Sequence, residues 1–375
     1  MRAAMKVVVV AHPAIRASNR AVYRRLAERG LDVTLVVPDR WKSVLGGTIL
    51  PDPEEPGSPL KLIVRKKIGI AHSNLFFMVP GIDDLIPRGE RCAVYVDQDP
   101  AGLMAFQAAI ATHRKGAGLV FMSMQNILKK YPMPFNAIQK YVFARAGACV
   151  AGSKECRTVV VQRSYTGPVS ILSFGYELVP LANDERERVA KTYGFSRPSI
   201  GYVGRLVPEK GVDLLIKAFA KVGHAELVIG GDGPSMNELQ ALVRTLDLED
   251  RVHFLGNLAP NEAVRLIGAL DVCTLPSRTT KAWKEQFGRT AVEAMAQGVP
   301  MIGSSSAAIP EVIGDAGLIF EEGNVDAFAA CILRALDPVE RAAIIEKSLE
   351  RANREFSLDA SANTLHRALE ESIPK

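Results

Sequence analysis

Short apolar runs separated by amphipathic stretches recur along nearly the whole chain, and this alternation restricts the fold more than any other feature. In the first half, Val7–Val10, Val33–Val37, Ala93–Val96, Leu119–Met122, Ala148–Ala151 and Val169–Leu172 are runs of the length of buried strands, while Asn19–Arg29, Ala101–Thr112 and Pro134–Arg145 have helical spacing. Strands that are apolar throughout, linked by helices, imply a parallel sheet covered on both faces. The pattern fades between Phe174 and Pro198 and resumes at Ile200. Strands are then expected at Ile200–Val203, Leu227–Ile229, Val252–Leu255, Val272–Leu275, Met301–Gly303 and Leu318–Phe320, with helices beginning near Val212, Asn237, Pro260, Arg289 and Val325. The chain reads as α/β, with two doubly wound Rossmann-like domains: residues 1–175, a hinge segment at 176–198, and residues 199–355. Ligands of such sheets sit beyond the carboxyl ends of the strands, so two of them facing each other would enclose a cleft lined by the loops that follow strands.

A length of 375 residues with 48% apolar content is enough for two cores. Residues 1–172 carry 24 Lys and Arg against 12 Asp and Glu, a net +12, whereas the remainder carries a net −7, which also separates two functional units. The first apolar run is cut short by His12-Pro13, so no signal peptide is expected and a cytoplasmic location follows. The loosely apolar stretch Ile68–Ile82 holds His72, Ser73, Asn74 and Pro80, too polar and too short to span a bilayer. Five scattered cysteines without a C-x-x-C pair read as small buried apolar residues. No segment interleaves basic and aromatic residues in the manner that stacks bases, so no nucleic-acid partner is expected.

Chemistry concentrates in three loops of the second half. In Trp283-Lys284-Glu285-Gln286-Phe287-Gly288-Arg289-Thr290-Ala291-Val292-Glu293, a glycine turn opens a run of good helix formers that Gly298 and Pro300 end. The free amides at such a helix start suit phosphate oxygens. Glu285 in the loop and Glu293 on the helix bracket that anion site, placed to accept hydrogen bonds from a hydroxyl-rich ligand; a carboxylate that only complements the helix dipole is the alternative for Glu293. The second loop, Gly204-Arg205-Leu206-Val207-Pro208-Glu209-Lys210-Gly211, follows the first strand of its domain and offers a guanidinium fork and a mobile ammonium, a pairing suited to a diphosphate. The third, Gly230-Gly231-Asp232-Gly233-Pro234, lets backbone approach a ligand, without the spacing of a phosphate-loop ATPase.

Together with Val252-His253-Phe254-Leu255-Gly256 and Leu275-Pro276-Ser277, these loops resemble, in the same order, those of the retaining glycosyltransferases of family 4, glycosyl transferase group 1, whose fold is named GT-B. The likeness runs through residues 199–355 and is looser before them, where Gln125-Asn126-Ile127 and Tyr131-Pro132-x-Pro134-Phe135 are similar to one bacterial branch. It implies a nucleotide-sugar donor, UDP- or GDP-linked, in the second domain. Arg205, Lys210 and Glu285 would be catalytic, with Glu285 on the sugar hydroxyls and the two cations on the diphosphate. Gly204, Gly231, Leu255, Leu258, Phe287, Gly288, Arg289 and Glu293 would bind the donor, Glu293 through its ribose. The first domain would take the acceptor, and Leu358–Ser372 is the candidate for a C-terminal helix, within 356–375, that completes it.

The family's usual sugar-contacting histidine has Gln125 in its place here, the loop after the first strand is not glycine-rich, and Ala308 stands where a glycine is usual. His12, Asp99 and Gln125 are the candidate acceptor-side contacts. Asp97-Gln98-Asp99 has the spacing by which other glycosyltransferases hold manganese, but in the wrong domain; no metal or other cofactor is expected. Lys61-Leu62-Ile63-Val64-Arg65-Lys66-Lys67 followed by Leu75–Val79 puts basic and greasy residues close together, as in proteins held at an anionic bilayer, so an anionic or lipid-linked acceptor and a peripheral position at the inner membrane surface are expectations as well. A sugar-nucleotide epimerase and a non-catalytic nucleotide-sugar-binding protein are the competing readings.

Overall fold

The computed structural model describes residues 4–42, 47–70, 74–176 and 179–374. The chain divides into two compact units, residues 1–175 with 358–375, and residues 176–357.

The first unit is built on strands β1 (Lys6–Val10), β2 (Asp32–Pro38), β3 (Trp41–Lys42), β4 (Thr48–Ile49), β5 (Lys61–Gly69), β6 (Phe76–Val79), β7 (Cys92–Val96), β8 (Gly118–Ser123), β9 (Ala148–Ala151) and β10 (Val169–Ile171). Eight of them form one sheet in the order β10-β9-β8-β7-β1-β2-β5-β6, parallel except for β6, while β3 and β4 pair separately. Alternation along each strand divides the core in two. Val7, Val9, Leu35 and Tyr95 pack under the helix Ala21–Glu28 and the C-terminal helix Leu358–Ser372; Val8, Val10, Val94 and Phe121 pack under the helix Leu103–Lys115 on the other face. Arg25 of the first helix and Arg29, just past its end, both reach Asp359 of the C-terminal one.

The basic run Lys61–Lys67 and the greasy run that follows are the adjacent antiparallel strands β5 and β6. Phe76 and Met78 are core, whereas Val64, Lys66 and Ile68 share a face with Phe77 and Val79, and of these Val64, Ile68 and Val79 are exposed hydrophobics. Leu62, one step back on the same face, packs against the covered core.

The second unit carries β11 (Ser199–Val203), β12 (Glu226–Gly230), β13 (Val252–Gly256), β14 (Val272–Leu275), β15 (Met301–Ser304) and β16 (Leu318–Phe320), all parallel, in the order β13-β12-β11-β14-β15-β16. This is the order of a dinucleotide-binding sheet, and it reverses between β11 and β14. The segment 176–198, read above as a hinge, belongs to this unit and contains a helix, Asn183–Tyr193. That helix buries only Val189 and Ala190 and is otherwise mostly charged or polar, so its apolar pattern is too thin to register as a helix in the sequence. It is tied down by polar contacts at and beyond its ends: Arg186 donates to the Leu270 carbonyl at 2.6 Å, and Arg197 pairs with Asp271.

Candidate active site

Ligands of a sheet ordered like that of the second unit collect where the order reverses, beyond β11 and β14. The loops there are knitted together before any side chain acts. The Gly204 amide donates to the Gly230 carbonyl and Leu206 to Asp232, both at 2.9 Å, and the Gly231 amide donates to Gly256 at 2.7 Å. Gly231 has φ +136°, and a Cβ there would lie 1.8 Å from the Gly204 carbonyl oxygen, so only glycine allows the two loops this approach. Leu255 and Leu258 are half-buried beside it, Leu258 lying over Gly230.

The Tyr202 hydroxyl donates to the Arg205 carbonyl at 2.8 Å, which fixes the backbone from which the exposed Arg205 guanidinium projects. Lys210 donates to Glu285 Oε2 at 2.6 Å, and the Ser277 hydroxyl reaches the same oxygen at 3.3 Å. The two side chains of this ion pair are only 15% and 11% exposed, and the Lys210 ammonium also sits 4.8 Å from the Trp283 ring centroid. A cation and a hydroxyl-accepting carboxylate are thus held against each other at the reversal point.

Gly288, in a left-handed conformation at φ +84°, turns the chain into the helix Arg289–Ala296. Thr290 ties this helix start to the end of β11 by donating to the Val203 carbonyl at 3.3 Å. The Arg289 and Thr290 amides take no hydrogen-bond partner among the described residues, as expected of a first turn. Phe287 is buried with its ring 6.0 Å from that of Phe356, so its side chain is an anchor of the loop. Glu293, one turn into the helix, is nearly buried. Burial pushes its carboxyl above the ordinary glutamate range, opposed by Arg289, which donates to Oε1 at 3.4 Å.

The structure therefore brings Gly204, Arg205, Lys210, Gly231, Glu285, Phe287, Gly288, Arg289 and Glu293 onto loops and one helix start at the same end of one sheet. Residues without an assigned role in the sequence reading also line these loops. Buried Ser277 supports Glu285, Ser304 holds the Ser277 carbonyl at 2.6 Å, and Thr279 meets Ser306 at 2.8 Å. Tyr176, whose hydroxyl accepts from Arg289 Nε at 3.0 Å, lies in the weakly patterned segment where no signal marked it.

In the first unit the sheet order reverses between β1 and β7. Asp99, after β7, receives the Ser123 hydroxyl at 3.1 Å, the Met124 amide at 3.3 Å and the Gln125 side chain at 3.3 Å, so Asp99 and Gln125 are neighbours. His12, after β1, has different company: its ring lies 4.6 Å from Trp41 and 5.8 Å from Phe76, and its buried Nδ1 takes no hydrogen bond among the described residues. Burial lowers its pKa to about 4, so the ring is neutral at pH 7. Its loop is locked by Arg20, fully buried, which donates to the carbonyls of Ala14, Ile15, Asp52 and Pro53 and to Glu54. Asp97 accepts from Tyr23 at 3.4 Å, and burial raises its carboxyl to about 6.

Residues 185–351 match the family model described as glycosyl transferases group 1. Among curated proteins, the chain is 32% identical over 201 residues to a GDP-mannose-dependent monoacylated alpha-(1-6)-phosphatidylinositol monomannoside mannosyltransferase of Corynebacterium glutamicum, an alignment covering 51% of this chain and 52% of that protein. It is 35% identical over 160 residues to the N-acetyl-alpha-D-glucosaminyl L-malate synthase of Bacillus anthracis, covering 41% and 40%. The chain thus spans about half the length, or less, of these relatives. Solved structures match along nearly the whole chain. The HepE protein of Anabaena in complex with UDP aligns with a TM-score of 0.73 at 17% identity over 98% of this chain and 99% of its own. A glycosyltransferase of Rickettsia africae aligns with 0.73 at 16% identity over 99% of each. At such identities the likeness is one of fold, and it is met in both units.

Proposed function

We propose, taking residues 185–351 as a group 1 glycosyltransferase domain, that this chain moves a sugar from a nucleoside-diphosphate donor to an acceptor with retention of configuration. The observation that carries this reading is the Lys210–Glu285 pair set beside Arg205 and the helix start at Arg289, all at the reversal point of one sheet. As the bond from the sugar to the diphosphate breaks, negative charge gathers on the leaving group. Lys210, held by Glu285, and the amides of the first helical turn face that charge already in place, and the exposed Arg205 guanidinium adds a second cation. Glu285 accepts from the sugar hydroxyls and Glu293 from the ribose, while Leu255 and Leu258 flank the base. The departing phosphate oxygen takes the acceptor's proton on the same face, so no protein nucleophile is needed and the cations do the work of a metal. The names of relatives and structural neighbours point to GDP- or UDP-linked sugars.

A thermal-shift panel of UDP- and GDP-sugars tests the donor, since a ligand of the folded state raises the melting temperature; no shift with any of them would end this reading. The anomeric configuration of the product, read by NMR, tests retention. Conversion of the donor without an acceptor would make the chain an epimerase instead.

The first unit would take the acceptor, with Asp99, Gln125 and His12 as its candidate contacts. Its net charge of +12 over residues 1–172 favours an anionic one. The open face of Val64, Lys66 and Ile68 beside Val79 suits an anionic bilayer, and with it a lipid-linked acceptor and a cytoplasmic enzyme peripheral at the membrane. Sedimentation with anionic and neutral liposomes at two salt concentrations should show salt-sensitive binding to the former alone; equal binding to both, or to neither, would leave a soluble acceptor.

A further inference from the structure

Arg289 is an exposed side chain, 62% accessible, and its 3.4 Å contact with Glu293 four residues on is too long to hold it in place alone. The Tyr176 hydroxyl supplies what is missing. It accepts from Arg289 Nε at 3.0 Å, which leaves a terminal guanidinium nitrogen on the Glu293 carboxylate. Tyr176 is itself fixed through its backbone: its amide donates to the Phe356 carbonyl at 2.9 Å, and it pairs with Ser357. Phe356 in turn packs on Phe287, directly before the helix that bears Arg289 and Glu293. Burial raises the Tyr176 hydroxyl above the usual tyrosine range, so it stays a neutral acceptor for the arginine at working pH. Glu293 Oε2 takes no hydrogen bond among the described residues.

We infer that Tyr176 is a positioning residue for ribose recognition: it orients Arg289, and through it keeps the Glu293 carboxylate charged and aimed at the two ribose hydroxyls of the donor. This rests on the nucleotide-sugar reading above. A carboxylate inside a nearly buried site binds hydroxyls well only as the anion and only if its rotamer is set in advance, and the Tyr176–Arg289 bond supplies both conditions. Nothing in the family match assigns this tyrosine, which precedes residue 185.

The test compares UDP and GDP with their 2′,3′-dideoxy counterparts, titrated calorimetrically into the full chain and into Tyr176→Phe, Glu293→Ala and the double variant. The native chain should prefer the ribonucleotide, and Glu293→Ala should erase that preference. Tyr176→Phe should weaken the better-bound ribonucleotide by about tenfold, as expected for losing one hydrogen bond to a charged group, and leave the dideoxy form unchanged. In the double variant, Tyr176→Phe should add no loss to that of Glu293→Ala. Equal weakening of both nucleotide forms by Tyr176→Phe would mean a general structural role, and an unchanged preference would mean none; either result overturns the inference while the donor reading stands. A native chain blind to the ribose hydroxyls would remove the role of Glu293 and this inference with it.

Discussion

Replacing Lys210 by methionine separates what this residue does for the fold from what it does for the reaction. The side chain keeps its length and apolar stem but loses the ammonium that lies 2.6 Å from Glu285 Oε2. Glu285 would retain the Ser277 hydroxyl but lose its cation at a position where its side chain is only 11% exposed. Removing one partner of a pair this poorly solvated costs about 2 kcal/mol, within the range for a hydrogen bond to a charged group and below that for a fully buried ion pair. For a unit of this size that is a drop of about 4–8 °C in melting temperature. Adding Glu285→Gln removes the charge that Lys210 no longer faces, so Lys210→Met/Glu285→Gln should recover most of that loss. Catalysis should not recover: turnover stays down by roughly 10²-fold in both variants because the leaving group has lost its cation. Calorimetric melting of the three chains, paired with a donor-turnover assay, reads both quantities. If the single variant melts with the native chain, or the double variant melts no higher than the single, the pair is not the partly desolvated contact described here. If activity returns with stability, Lys210 acts through folding alone.

Arg205→Ala should lower turnover at saturating donor by about 10²-fold with stability changed by less than about 0.5 kcal/mol, since the side chain is exposed; native turnover in this variant would take it out of the mechanism. Activity should persist in EDTA, and loss that manganese reverses would make Asp97 and Asp99 the first suspects. Asp97, raised from 3.8 to about 6 by burial, holds its proton longer in the folded than in the unfolded chain, so its contribution to stability is whole below about pH 4 and lost as the pH rises through about 6. Asp97→Asn should therefore be more stable than the native chain above pH 6, by up to about 3 kcal/mol, and the two should converge near pH 4; parallel melting profiles across that range would refute it.

The inner strands of both sheets were legible because a parallel strand buried on two faces is apolar at every position, as Val7–Val10 is, and the motif loops were legible because glycines and charges stand out against such runs. Elements with one wet face were not. Strand β5 spaces its apolar residues with lysines and an arginine, so it read as a basic run, and the helix Asn183–Tyr193 buries two residues and so read as a hinge. Within the site, Lys210 and Glu285 could be named from their motifs, but their direct contact is a long-range pairing that no local pattern encodes. His12 shows the converse: its place after β1 suggested a polar contact, and only packing reveals that Trp41 and Phe76 enclose it.

Tyr176 and Ser357, the first and last residues of the second unit, lie paired side by side. The first unit meets in the same way across the gap, since a Cβ on Gly175 would stand 2.9 Å from Leu358 Cα. Residues 176–357 are thus inserted into the first unit as a parenthesis is into a sentence, the chain leaving and re-entering at one point. Chains whose ends meet tolerate being cut out, rejoined or permuted. Residues 176–357 could be exchanged for the corresponding segment of a relative through two junctions that lie side by side, Gly175–Tyr176 and Ser357–Leu358.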